Sequence, residues 1–249
     1  MKSLDKTFNV LEYIFNKDGV PATPAEVASV IGINCATCSR ILGVLLRKGY
    51  VEKVSRRIGY IPGPSVFALS ARQSPYARIA KASREAIEEL AMKTGAIVNI
   101  SIMRGGYRYI LFLHTSDGTK KIPIRTRYLD DNYTTATGRL LLSIAPQEDI
   151  DFVVDRLGFP QDRWNGIKDM RGLAAEFTKV SKRKIITYPM YNVWIVGGLV
   201  EAATFPPAAI GFGVETEEKA EEAVAHLKKC VADIEAKLSS NTEKNTFLY

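Results

Sequence analysis

Cys35 and Cys38, in the stretch Cys35-Ala-Thr-Cys38, are the residues of this 249-residue sequence whose type and spacing point most directly to chemistry. Two cysteines three apart on a helix bring their sulfurs to neighbouring positions, as in a redox dithiol or half of a zinc site. A structural zinc takes four ligands. His226 and Cys230, four apart on a later helix, could supply the rest only by joining distant parts of the chain. The plainer reading is a helix in which Cys38 fills a buried position usually held by an aliphatic residue, while Cys35 lies near the helix start. The surrounding pattern favours this reading, so no metal and no cofactor is expected. Catalysis finds no constellation either: His114 and His226 are the two histidines, and neither sits in a nucleophile or metal pattern. Gly105-Gly106 and Gly197-Gly198 lack the spaced glycines and following Lys-Ser/Thr of a phosphate loop. No catalytic residue is assigned, and the chain is not expected to be an enzyme.

Composition sets the frame for these residues. With 46% hydrophobic and 24% charged residues, the sequence falls among soluble globular proteins and is long enough to bury a core by packing. It shows no apolar run of membrane-spanning length and no secretory h-region near its start, so a cytoplasmic protein with no membrane partner is expected. Three cysteines do not make the framework of a disulfide-stapled secreted fold. Charge is unevenly spread: residues 1–64 hold nine Lys/Arg against five Asp/Glu, which is +4 of the total +7. A basic first quarter fits nucleic acid or another acidic surface as partner, although a solvated basic face gives the same count.

The elements that would position the cysteines follow from periodicity and caps. Leu4, Phe8, Leu11 and Phe15 recur at helical spacing, with Ser3 available as N-cap. Thr23, Pro24 and Glu26 form a capping-box start for a short second helix, stopped by Gly32. Asn34 caps a third helix with Cys38, Ile41, Leu42 and Leu45 on one face, ended by Gly49. Tyr50-Val51 and Tyr60-Ile61 then flank a basic tip with Arg56, Arg57 and Gly59, a small hairpin. Residues 62–75, rich in Pro, Ser and Gly at both ends, read as a linker over 65–75 that holds a short apolar turn or helix. Beyond it come a helix closed by Gly95, strands over "AIVNISIM" and "YRYILFLH" joined at "RGG", and a shorter run "KKIPIR". Helices over "TATGRLLLSI", "QEDIDFVVDRLG" and "LAAEFTKVSK" follow, then strands over "KIITY", "VWIVGGLVEA" and "AIGFGV". A charged helix over roughly 216–238 and a tail over 241–249 end the chain.

The segment "EVASVIGINCATCSRILGVL" has helix-turn-helix spacing: Ala28 small where the helices touch, Gly32 in the turn, Ile33 apolar after it, Cys38 and Ile41 beneath the second helix. Followed by "LLRKGYVEK" and a hairpin, it resembles the winged helix-turn-helix of the IclR family of bacterial transcription regulators. The likeness runs on: "LAMKTGAIVNISIMRGGYRYILFLHTSDG" is similar to the family's next helix and strands. "TTATGRLLLSIAPQED" resembles its A-x-G-K-A-L-L-A segment, and "NVWIVGGLVEA" stands where the family has G-V-x-x-I-A-A-P-V. Roughly residues 3–240 are covered. The resemblance implies an α+β protein of two domains: a winged helix-turn-helix over 1–64, a linker over 65–75 and a GAF-like α/β effector-binding domain over 76–240. It also implies double-stranded operator DNA and a small-molecule effector as partners, and a homodimer or a dimer of dimers. Departures from the family pattern are Asn34-Cys35-Ala36 in place of Pro-Lys-Ser, Arg139 in place of Lys, and Gly197-Gly198 after Val196 in place of Ala-Ala-Pro.

Site residues follow. The leading turns of the third helix would point Ala36, Thr37, Ser39 and Arg40 at DNA, with Arg40 suited to grip a guanine through two donors. An Arg40 paired with a first-helix carboxylate is the bland alternative. Lys53, Arg56 and Arg57 at the hairpin suit phosphates or the minor groove. For the effector, Thr135, Ala136, Thr137 and Gly138 open a helix whose free N–H groups attract an anion, a carboxylate, with Arg139 near. An ordinary helix cap explains them equally. Met103, Tyr107, Trp194 and Val196 would wall the pocket, with core packing the rival for Trp194. Two other functions stay open: a thiol-based redox-sensing regulator using Cys35 and Cys38, and a small-molecule enzyme on the GAF-like fold.

Overall fold

Three helices, α1 (Lys2–Phe15), α2 (Pro24–Ile31) and α3 (Cys35–Arg47), precede a hairpin of β1 (Val51–Ser55) and β2 (Gly59–Pro62). The computed structural model describes residues 2–17, 19–55, 57–70, 74–117 and 127–240. Two units are parted between Ser74 and Pro75.

In the first unit the capping signals act as their spacing dictates. The Thr23 hydroxyl accepts from the Glu26 N–H at 3.2 Å, and the Glu26 carboxylate accepts from the Thr23 N–H at 3.4 Å. Glu26 also receives the Tyr13 hydroxyl at 2.8 Å and an ion pair from Lys17, which ties α2 to the end of α1. Gly32 closes α2 at φ 70°, a left-handed cap that costs glycine little. The chain then turns through 114° into α3, where Asn34 Oδ1 accepts from the Thr37 N–H at 2.7 Å. Val10, Ile14, Val27, Ala28, Cys38, Leu42, Leu45 and Val51 form the core. Tyr60 in β2 exchanges two 2.9 Å backbone hydrogen bonds with Ala22, fastening the hairpin to the segment before α2.

The first unit also corrects one expectation. α1 begins at Lys2, so Ser3 is not an N-cap; its carbonyl accepts from the Thr7 hydroxyl at 3.1 Å. The apolar stripe of α1 meets the core only in part: Leu11 packs against it, but Leu4 is 64% and Phe8 57% exposed, while Val10 and Ile14, one turn apart, are fully buried. Within the linker a short helix α4 (Pro64–Ser70) forms, with Phe67 76% exposed.

The second unit comprises α5 (Pro75–Thr94), β3 (Ile97–Arg104), β4 (Tyr107–Thr115), α6 (Ala136–Leu142), α7 (Gln147–Leu157), α8 (Met170–Arg183), β5 (Ile185–Met190), β6 (Val193–Val200), β7 (Ala208–Val214) and α9 (Glu217–Ser240). Five strands pair antiparallel in the order β4-β3-β7-β6-β5. Successive side chains of a strand point to opposite faces. On one face Val98, Ile100, Val196 and Ile210 pack under α5 and α9. On the other Met103, Leu199 and Ala209 pack under α6, α7 and α8. Lys229 and Lys93 both bind Glu89, and Lys237 binds Glu85, so ion pairs join α5 to α9. The run "KKIPIR" and the tail over 241–249 lie outside the described residues.

Candidate nucleic-acid face and effector site

An α-helix advances 100° per residue, so the side of α3 away from Cys38, Leu42 and Leu45 is set by its core contacts. Ala36 and Arg40 occupy that outward side, and Ser39 and Thr37 flank it. Ala36, Ser39 and Arg40 are exposed and Thr37 is half-buried, its N–H already used by Asn34. Arg40 forms no ion pair with a described residue, so the first-helix carboxylate partner is not found. On the hairpin, Lys53 and Arg57 are exposed, with Lys53 Nζ 5.8 Å from the centre of the Tyr60 ring. Arg56 lies outside the described residues. The two cysteines of the opening motif part company: Cys35 is exposed, whereas Cys38 is buried and burial pushes its thiol above the usual range. Burial pushes the Cys230 thiol up to about 12, and among the described residues no three His, Cys, Asp or Glu side chains gather as metal ligands. A low-pKa thiolate is what redox sensing needs, and neither buried sulfur offers one.

In the second unit α6 stands on the middle of the sheet. Its N-cap Thr135 accepts from the Gly138 N–H at 3.1 Å and donates to the Asp131 carbonyl at 3.0 Å. Every residue of the helix, Ala136 to Leu142, is buried. This close approach depends on glycines beneath it: a Cβ on Gly211 would lie 2.8 Å from Thr137 Cγ2, and one on Gly197 would collide with Ala136 Cβ. Met103 shares this face and core with Ala136 and Leu140. Tyr107, at the β3–β4 turn, packs against Phe152 with ring centres 5.3 Å apart and planes tilted by 52°.

Trp194 and Val196 are not brought to this place. Both point to the α5/α9 face, Val196 fully buried, because they alternate with Ile195 and Gly197 on β6. They are core residues of the opposite layer, not walls of a pocket shared with Gly138. Their neighbour Gly198 likewise faces α9, near Leu227 and Val231.

Arg139 is 5% exposed. Its Nε donates to the Tyr133 carbonyl at 2.8 Å and its Nη2 to the Arg163 carbonyl at 2.7 Å. The guanidinium carbon lies 3.6 Å from the centre of the Tyr188 ring and 4.9 Å from that of Trp164. Burial lowers its pKa, opposed by Tyr188 and by Glu176, yet no described carboxylate pairs with it directly. Tyr188 also donates to the Thr134 carbonyl at 3.0 Å, so two side chains hold the turn segment that leads into α6. Beside them runs a polar chain absent from the sequence reading. Asn99 Nδ2 donates to the Gly211 carbonyl at 3.0 Å, Ser101 to Asn99 Oδ1 at 2.9 Å and Arg108 Nη1 to Ser101 at 3.0 Å, and Arg108 is ion-paired to Asp131. Fully buried Asn132 donates to the Gly106 carbonyl at 2.9 Å, and its Oδ1 has no partner among the described residues. An alternating strand would have flagged Asn99 and Ser101 as polar positions on one face; Tyr188 carries no signal in sequence.

Such geometry defines a class, a winged helix-turn-helix unit joined to an α/β unit with a buried polar site. Residues 3–55 match the model of the IclR helix-turn-helix domain. Solved structures agree in fold along nearly the whole chain. The IclR protein of Thermotoga maritima is 22% identical with a TM-score of 0.66, covering 96% of this chain and 99% of its own. An IclR homolog from Microbacterium hydrocarbonoxydans, complexed with 4-hydroxybenzoate, is 17% identical with a TM-score of 0.77, covering 96% and 99%. An IclR regulator from Alicyclobacillus acidocaldarius is 19% identical with a TM-score of 0.72, covering 95% and 98%. No curated protein sequence matches the chain. Among the described residues, no single helix is long and apolar enough to cross a membrane.

Proposed function

We propose that this chain is a cytoplasmic, ligand-responsive transcription regulator that binds operator DNA as a homodimer and responds to a small organic acid. The outward side of α3 carries the reading: an exposed arginine that pairs with no described residue, on a short helix whose other side is locked into a core. The leading turns of such a helix fit the major groove, with Ala36, Ser39 and Arg40 toward bases and Lys53 and Arg57 of the hairpin toward phosphates. Thr37 flanks them, and Arg56 belongs to the same basic tip. Exposed Leu4 and Phe8 on α1, and Phe67 and Leu69 on α4, support a dimer, which would present two reading helices to two half-sites.

For the effector, the support is Arg139. A guanidinium stays charged inside a protein, and a buried charge without a counter-ion is costly, so an anion placed near it is favoured. We assign the acid's carboxylate to the first turn of α6, Thr135 to Gly138, with Met103 and Tyr107 toward the apolar part of the ligand. Trp194 and Val196, on the opposite face of the sheet, take no part in it. The 4-hydroxybenzoate held by the Microbacterium homolog is a carboxylate of this kind. Ligand binding then shifts the population between placements of the DNA-binding units. The test is fluorescence anisotropy on a duplex selected from a random library by the full-length protein, titrated with a panel of aromatic and aliphatic carboxylates. At least one should change DNA affinity several-fold in wild type and less in Arg139→Met. Failure to enrich any duplex, or a panel without effect, would overturn the proposal.

A further inference from the structure

Beyond Arg40 the outward side of α3 continues through Gly43, about one turn on, to Arg47, about two turns on and the last residue of the helix. We propose that Arg47, folded back over Gly43, grips a backbone phosphate on the wall of the groove that the leading turns of α3 enter; this rests on the reading of α3 as the recognition helix. Ala36, Arg40, Gly43 and Arg47 are spaced by four, three and four residues, so they fall on one stripe opposite Cys38, Leu42 and Leu45. The structure gives that stripe a second, independent mark. Arg47 Nη1 lies 3.8 Å from the place a Cβ of residue 43 would take, so its guanidinium runs back along the helix toward Arg40. A side chain much longer than alanine at position 43 would occupy that space.

Arg47 also has nothing else to do. An arginine in the last turn can bond the free carbonyls of its own helix end, yet Arg47 is exposed and makes no hydrogen bond or ion pair with a described residue. Arg40 and Arg47 are seven residues apart, roughly 10 Å along the axis at about 1.5 Å per residue. The major groove is about 12 Å wide, so an Arg40 that touches base edges carries Arg47 to the groove's edge, where phosphates line the wall. The guanidinium there positions the helix and lowers repulsion without reading sequence.

The probe is the duplex selected by the full-length protein, beside a scrambled duplex of the same composition, each titrated across a range of salt. Arg47→Ala, at an exposed helix end, should keep the wild-type circular dichroism. It is expected to lose about tenfold in affinity, as for one charge-assisted contact, by a similar factor on both duplexes. The slope of log affinity against log salt should fall by about one. Arg47→Lys should restore the slope, because a phosphate accepts a point charge where a bidentate base contact does not. Wild-type affinity and slope in Arg47→Ala would overturn the inference, as would a loss confined to the selected duplex and not rescued by lysine. If Arg40→Ala binds the selected duplex as wild type does, the recognition-helix reading itself falls, and the Arg47 assignment with it.

Discussion

Gly211→Ala adds one methyl group where α6 meets the sheet, and the structure fixes what it strikes. The new Cβ would sit 2.8 Å from Thr137 Cγ2 and 3.7 Å from Ala136 Cβ. Carbon atoms rest at about 3.5–4.0 Å, so roughly 1 Å of overlap must be relieved. Thr137 is buried and β-branched, which leaves it little rotamer freedom, so relief has to come from α6 moving off β7. Overpacking of this kind costs about 1–3 kcal/mol, and about 2–4 °C in Tm is lost per kcal/mol for a domain of this size. A Tm about 2–12 °C below wild type is expected by calorimetry. Thr137→Ser removes the struck methyl and keeps the hydroxyl, so in the double variant most of the Gly211→Ala loss should disappear, a coupling of about 1 kcal/mol or more. A Gly211→Ala protein as stable as wild type, or losses that simply add in the double variant, would refute the packing argument.

Three further outcomes follow from single contacts. Glu26→Ala removes the reciprocal cap of α2 together with its bonds from Tyr13 and Lys17, and should cost the first unit about 1 kcal/mol or somewhat more, read as a lower urea midpoint. Lys93 first, and Lys229 after it, hold the Glu89 carboxyl down to about 2 from its ordinary 4.5. A depressed carboxyl contributes stability that is whole above about 4.5 and fades as pH falls toward 2, so Tm should drop with acid across that window, and less steeply in Glu89→Gln. Gly43→Ala places its methyl at an ordinary 3.8 Å from Arg47 and relieves a mid-helix glycine, so stability should rise by about 0.5–1 kcal/mol, read as a higher urea midpoint.

The helix starts were legible because their chemistry is local. Thr23, Pro24 and Glu26 cap α2, and Asn34 caps α3, through bonds that span three residues and need no tertiary contact. Choices of face were not, wherever both sides of an element are apolar. α1 carries two stripes, Leu4-Phe8 and Val10-Ile14, and only packing against α2 and α3 decides that the second goes inside. β6 is a central strand covered on both sides, so "VWIVGGLV" shows no polar alternation, and nothing local says that Trp194 and Val196 face α9 while Gly197 faces α6. Thr135 to Arg139 could be found as a helix start, but the aromatic rings around Arg139 come from Tyr188 and Trp164, far along the chain, and only folding joins them. Arg139 itself proved to be a clamp on two backbone carbonyls as well as a charge.

Cys35 offers the most direct measurement of where DNA binds. It is the one exposed thiol among the three cysteines and stands in the first turn of α3, while Cys38 and Cys230 are buried. Maleimide labelling of the full-length protein, followed by intact mass spectrometry, should modify one thiol per chain quickly. Saturation with the selected duplex should slow that labelling strongly, and protein labelled beforehand should no longer bind. Labelling of Cys35 at an unchanged rate in the bound complex would mean that the leading turn of α3 does not face DNA.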